Sequence, residues 1–391
     1  MTIDFDENVD RCNTHSNKWD ELERVYGINA DEGIAMWVAD MDFRSPQSIS
    51  DAMQEVVDGS VYTYYGDFSS YKESICNWMD RRHGWKVDPS WILSVNGLGN
   101  GVALAIQAYT EENDGVILFT PVYHAFATAI RSNNRRVVES EMLNENGRYT
   151  LDLDALEAQL QGDEKMVIFC SPHNPGGRVW SVEELQAVAA FCVKHDLILI
   201  SDEIHHDLVY AGNKHTVMSL AAPEIQDRLL IMSATTKTFN IAGAHIGNVI
   251  IADEVLRAKF VASMNAGKVS ASRFGYHMAE AAYNGGEQWL DEWCVYMAEN
   301  KRIFDEGINA IPGLRSMKLD ATYLAWVDFG DTGMSQAEFT DRVVKTAKVA
   351  PNYGHTFGKG GENFLRFNIA TRRELVEDAV KRIAAAFADL Q

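Results

Sequence analysis

Apolar residues fall into two patterns along this chain. Short unbroken runs, rich in β-branched residues, stop abruptly at small polar ones: WILSV before NGLGNG, Val116 to Phe119 before Thr120-Pro121, EKMVIFC before SPHNPGG, Leu197 to Ile200 before SDEIHH, and Leu229 to Met232 before SATTKTFN. Such runs predict buried strands whose C-terminal ends open into loops. Between them the spacing turns helical. Ser45-Pro46 predicts a helix start with Ser45 as N-cap, followed by the stripe Ile49, Met53, Val56 and Val57. Ser181 and Glu184 form a capping box ahead of Leu185, Val188, Ala189 and Cys192. Strand, loop and helix keep alternating, which predicts an α/β fold with a mostly parallel sheet and helices on both faces.

From about residue 260 the pattern changes to long helical periodicity. A strand-like segment, LRSMKLDATYLAWVDFG, follows, then a helix over EFTDRVVKTAKVA, a strand in ENFLRFN and a closing amphipathic helix. This is a smaller α+β unit. Ahead of everything lies a stretch of little periodicity ending in MWVADMDFRSP, where Trp37, Val38, Met41 and Phe43 are too apolar for a free tail. The division expected is an arm over 1–45 that packs on the smaller unit and across a subunit interface, a large unit over 46–265 and a small one over 266–391.

Composition and charge narrow the partners. The 391 residues are 46% hydrophobic and 23% charged, as in a globular protein, and the formal charge of -21 disfavours nucleic acid and anionic membrane surfaces. No apolar run approaches the roughly 20 residues of a membrane span, and the start MTIDFDENVDRCN lacks a secretory apolar segment. Five scattered cysteines, Cys12, Cys76, Cys170, Cys192 and Cys294, suit reduced core thiols in a cytoplasmic protein.

Ligands of open α/β sheets sit at the C-terminal strand ends. Two such ends carry Asp202 and Lys237, a carboxylate and an amine facing one crevice. Pyridoxal phosphate requires that pair: the amine to hold its aldehyde covalently, the carboxylate to keep its ring nitrogen protonated. The glycines at 97, 99 and 101, with a helix expected from near Asn100, are either a phosphate cradle or a plain tight turn. Tyr123 lies where a ring stacks on a planar cofactor, and Asn174, between two prolines, is aimed at a phenolic oxygen. The Tyr-rich loop VYTYYG offers hydroxyls to a phosphate or packs, and Asp40 and Asp42 face the site or serve as turn residues. A metal-hydrolase reading of Asp202, His205, His206 and Asp207 is set aside, because neighbours on one short segment point in different directions and no HExxH or cysteine pair accompanies them. No metal is expected.

Together SDEIH, the lysine of TTKTFNIAG, HNPGGRVW, PVYHAF and FLRFNIATR resemble the fold type I pyridoxal phosphate enzymes of the aspartate aminotransferase superfamily. WVADMDF, with SPHNPGGRVW and SDEIHHDLVY, resembles the cystathionine β-lyase branch more narrowly. The resemblance implies that Lys237 binds the cofactor aldehyde, Asp202 the ring nitrogen and Asn174 the ring hydroxyl, and that Tyr123 stacks on the ring. It implies that Arg366 clamps the substrate carboxylate, with Trp37 and Asp40 beside it, and that Tyr64 reaches the phosphate in a second copy, making the active unit a homodimer. Ser233, Gly99 and Asn100 are expected at the phosphate, and Tyr64 or Tyr65 as proton donor to the leaving sulfur. Three departures stand out: NPGG in place of Thr or Ser after the proline, NGLGNG where the lyases have Pro-Gly-Val, and the pair His245 and His205 where aminotransferases place an arginine and a tyrosine. The last favours the lyase branch. The expected activity is C-S β-elimination from cystathionine or another cysteine conjugate, with amino transfer as the alternative and a non-catalytic regulator as a third reading.

Overall fold

A computed structural model describes residues 3–390. The apolar runs form a seven-stranded sheet from β1 (Ile92–Val95), β2 (Gly115–Thr120), β3 (Arg136–Glu141), β4 (Glu164–Cys170), β5 (Ile198–Asp202), β6 (Leu229–Ser233) and β7 (Gly247–Ile250), in the order β1-β7-β6-β5-β4-β2-β3. Neighbours from β6 across to β3 pair in parallel, while β7 runs antiparallel to both β1 and β6. Every residue of β2 and β6 is buried, as a sheet covered on both faces requires.

Helices α1 (Gln47–Gly59), α2 (Ser69–His83), α3 (Leu98–Tyr109), α4 (Val182–Lys194), α5 (Arg273–Gly285), α6 (Glu287–Asn309) and α7 (Arg373–Ala386) surround this sheet and a second one. The Ser181–Glu184 capping box forms as the sequence predicts. Ser45 does not cap α1. Pro46 occupies the N-cap position, and the Ser45 hydroxyl donates to the Asn240 carbonyl at 3.1 Å, tying the end of the arm to the loop after Lys237. The glycine-rich turn starts its helix slightly early, at Leu98, because Gly97 takes the left-handed φ of +80° that turns the chain into it.

The second sheet is antiparallel, with β8 (Arg315–Ser316), β9 (Leu324–Asp328), β10 (Asn352–Tyr353) and β11 (Phe364–Asn368) in the order β8-β9-β11-β10. The helix expected over EFTDRVVKTAKVA stops short: its last residues, Val349–Ala350, form a strand that pairs in parallel with Ile34–Ala35 of the arm. Phe5 and Phe43 meet edge to face at 5.2 Å, and Phe5 also meets Trp289 of α6 at 5.5 Å. The arm therefore packs on the C-terminal part of the chain. Among the described residues no helix is long and apolar enough to cross a membrane.

Candidate active site

Register brings the two key strand ends together. Asp202, the last residue of β5, pairs with Cys170 of β4 on one side and Met232 of β6 on the other, so the segment leaving β6 passes beside it. That segment holds a single helical turn, Thr235–Thr238, which carries Lys237. Asp202 and Lys237 lie close enough that each shifts the other's ionisation.

Both groups are perturbed as a cofactor site requires. Asp202 is 6% exposed, and its carboxylate accepts only the Ile204 N–H at 3.2 Å among the described residues. Burial, with Glu203 nearby, raises its pKa from 3.8 to about 7 against the opposing pull of Ile204 and Lys237. Lys237 is partly open to the cleft, and its Nζ donates to the Ala39 carbonyl at 2.6 Å. Burial and the Arg366 charge lower its pKa to about 8, against the pull of Asp40 and Asp202. A carboxyl and an amine brought this close to neutrality are poised for proton transfer.

Arg366 lies in the middle of β11, paired with Trp326 and Asn352. It is 2% exposed and forms no salt bridge among the described residues; one terminal nitrogen donates to Asn174 Oδ1 at 3.1 Å and the other to the Trp37 carbonyl at 3.0 Å and to Asn352 Oδ1. Its Nε has no hydrogen-bond partner among the described residues. A buried guanidinium with only neutral partners and a spare donor is built to receive an anion, and burial without a counter-charge pulls its pKa down to about 10.

The other residues expected here divide into those that join this group and those that do not. Asn174 joins it through Arg366, and its carbonyl accepts the Tyr123 N–H at 3.1 Å. Tyr123 feels both Arg366 and Asp202. His205 is 2% exposed with Nδ1 unpartnered; burial and then Lys237 and Arg366 hold its pKa down to about 3, so the ring is neutral. Trp37 contributes its backbone carbonyl, while its indole N–H is spent on Lys18 at 2.9 Å. Asp40 raises the Lys237 pKa, but both its oxygens are taken by Arg11, each at 2.9 Å. Gly99 and Asn100 sit in the first turn of α3, and a Cβ at Gly99 would meet nothing within 4 Å, which leaves that side of the turn open for a ligand. Ser233 is fully buried against Tyr283 of α5. Tyr64 is fully exposed. Tyr65 does not face the cleft: its hydroxyl donates to Glu280 at 3.1 Å and its ring stacks on Tyr276.

Four groups escaped the sequence reading. Tyr323 donates to the Ala39 carbonyl at 3.0 Å, the oxygen that Lys237 also uses. Asn352 and Arg11 orient Arg366 and Asp40. Thr235 Oγ1 is buried without a partner two residues before Lys237. The only signal for Tyr323 was its place in an apolar run, which says strand and nothing about the cleft. The NPGG departure has a steric cause: a Cβ at Gly176 would sit 2.8 Å from His173 Nδ1 and 2.9 Å from Tyr149.

The orphaned His205 and Thr235 atoms, the under-satisfied Asp202 and the anion-seeking Arg366 fit pyridoxal phosphate with an amino acid beside it. Sheet order and site define the class, a fold type I enzyme of that cofactor. The chain belongs to the Aminotransferase class I and II family, which it matches over residues 32–383. It is 37% identical to cystathionine beta-lyase PatB of Bacillus subtilis (strain 168), over 98% of this chain and 100% of that one. Among solved structures it is similar to cystalysin from Treponema denticola, which contains a pyridoxal 5'-phosphate cofactor, with a TM-score of 0.95 and 33% identity over 100% of both chains. It is also similar to the PLP-bound C-S lyase from Staphylococcus hominis, with a TM-score of 0.91 and 30% identity over 99% of this chain and 98% of that one. The family read from the motifs is borne out.

Proposed function

We propose that this chain is a pyridoxal-phosphate-dependent C-S β-lyase that splits cystathionine or other cysteine S-conjugates into a thiol, pyruvate and ammonia. The observation that carries the reading is the pair Lys237 and Asp202, both drawn toward neutrality at adjacent strand ends, with the unneutralised Arg366 beside them. When bound, the cofactor supplies a conjugated ring that draws electrons from the substrate's α-carbon. Asp202 holds the proton of the ring nitrogen. Asn174, its Oδ1 occupied by Arg366, has its N–H groups left for the ring hydroxyl. Tyr123 and the neutral His205 line the ring, while Gly99, Asn100 and Thr235 serve the phosphate at the positive end of α3; Ser233, buried against Tyr283, does not join them.

Arg366 takes the substrate α-carboxylate in its planar fork. Lys237 Nζ then removes the α-proton as general base, for which a pKa of about 8 suits neutral pH. The β-carbon loses its thiolate, and water completes the release of pyruvate and ammonia. Tyr65 is tied to Glu280 and is not the acid for the leaving sulfur. Tyr64 is the phenol left for that step, since Tyr323 donates to the Ala39 carbonyl.

Tyr64 acts from a second copy in this reading. It stands fully exposed beside exposed Val61 and Tyr62, an apolar loop that a homodimer would cover. The arm over 1–45, the large unit over 46–265 and the small unit over 266–391 are kept as the domain division, with α5 as the seam, since it packs on α1 and α2. Five free cysteines suit a cytoplasmic setting. The discriminating experiment is pyruvate release from cystathionine or an S-alkyl cysteine without any keto acid acceptor. Release supports the lyase; strict dependence on the acceptor would establish amino transfer instead.

A further inference from the structure

Three side chains outside the chemistry above, His83, His206 and Asp207, meet in a closed cluster next to the Lys237 turn. His83 Nε2 lies 2.8 Å from Asp207 Oδ1, and His206 Nε2 lies 3.2 Å from Asp207 Oδ2. The two rings are 4.5 Å apart, and one ligand atom from each residue falls within 4.8 Å of the other two. The side chains are 7%, 1% and 1% exposed.

The ring orientations leave one buried nitrogen facing a carboxylate. His206 Nδ1 lies 2.5 Å from the Glu203 carbonyl oxygen, which only accepts, so the ring proton sits on Nδ1. A neutral His206 therefore turns a bare lone pair on Nε2 toward a carboxylate, and that Nε2 is buried with no hydrogen-bond partner. A buried ring nitrogen and a carboxylate oxygen 3.2 Å apart need a positive charge between them, either a second ring proton, which Asp207 and Glu203 favour, or a metal ion. The surroundings are those of ligands already oriented. Metal-binding histidines donate their other N–H to a carbonyl, and ligating carboxylates are themselves hydrogen-bonded. Here His206 uses Glu203 in that way, while Asp207 accepts Trp78 Nε1–H at 3.0 Å and the Thr238 hydroxyl at 2.9 Å.

We propose that His83, His206 and Asp207 bind one divalent cation of the zinc class. In a tetrahedral shell with bonds of about 2.0–2.2 Å, neighbouring ligand atoms stand about 3.4 Å apart. The present separations, 2.8 Å from His83 to one Asp207 oxygen, 3.2 Å from His206 to the other and within 4.8 Å among one ligand atom of each, reach that by side-chain movements of about an ångström. Binding through Nε2 moves the His83 ring proton to Nδ1, so that the imidazole stays neutral, and releases any proton held on His206 Nε2; a water fills the fourth position. Two imidazoles and a carboxylate leave the site with one net positive charge, and the ligand set suits zinc better than calcium or magnesium. The ion is structural. It joins the end of α2 to the loop after Asp202 and, through Thr238, to the turn that carries Lys237. His83 lies 124 residues from Asp207, which is why the sequence pattern around Asp207 gave no sign of a ligand set.

The test uses the cofactor-loaded protein, stripped with a chelator, incubated with zinc chloride alone and passed through gel filtration. About one zinc per chain is expected, with a rise in melting temperature on zinc addition. His206→Ala is expected to bind at least about tenfold more weakly and to lose the thermal shift. His83→Gln gives the same readout should His206→Ala not fold. Wild-type protein that retains no zinc, or a variant that retains as much as wild type, overturns the proposal.

Discussion

Asp202→Asn in the cofactor-free protein tests the buried acid directly. The carboxyl rises from 3.8 to about 7 on folding. At about 1.36 kcal/mol per pKa unit, its ionisation inside the fold costs about 4 kcal/mol. A raised carboxyl pKa means that the folded state binds the proton more tightly than the unfolded chain. Its contribution is complete below about pH 4 and is lost as pH climbs to about 7. The asparagine has no charge to desolvate, and its Oδ1 still accepts the Ile204 N–H. Urea unfolding of the two proteins should show Asp202→Asn more stable by about 1–2 kcal/mol near pH 5 and by about 4 kcal/mol near pH 8.5. Adding the cofactor should reverse the order, because only the wild type gains a counter-charge at the ring nitrogen. A variant no more stable at the higher pH, or equally more stable at both, would refute the reasoning.

Three further outcomes follow from the same geometry. In cofactor-free protein the neutral Lys237 amine attacks the aldehyde, so the reconstitution rate should rise with pH through a midpoint near 8; a midpoint near 10.5 would place the amine in water. Arg366→Ala removes two charge-assisted hydrogen bonds to the substrate, about 3 kcal/mol or a KM rise on the order of 100-fold, with cofactor affinity changed far less. Steady-state kinetics beside a cofactor titration check this, and release of the cofactor would contradict the carboxylate role. Gly176→Ser places a Cβ against buried His173 and Tyr149 and should cost about 1–3 kcal/mol in thermal unfolding.

The parallel sheet was legible because its central strands are buried on both faces and so read as unbroken apolar runs. The edge strand RVVESE and the strand GNVI did not announce themselves: the first alternates with charges, and the second has four residues and pairs antiparallel after the Lys237 segment. Asp202 closes a strand, Arg366 sits in one, and Lys237 and Asn174 lie just beyond strand ends in distinctive loops, which made all of them legible. Asp40 was expected beside the substrate, but both its oxygens accept from Arg11, 29 residues earlier. Tyr323, Asn352 and the Ala39 carbonyl were invisible for the same reason. They act through contacts that only the folded arm and second sheet create, and no local spacing encodes them.

Trapping the bound cofactor on the protein with borohydride, followed by peptide mapping, probes the account at its base. The label is expected on Lys237 alone, in the peptide containing TTKTFN, and Lys237→Ala is expected to take up none and to show no turnover. A label on any other lysine, or wild-type protein that stays colourless with the cofactor, would contradict it.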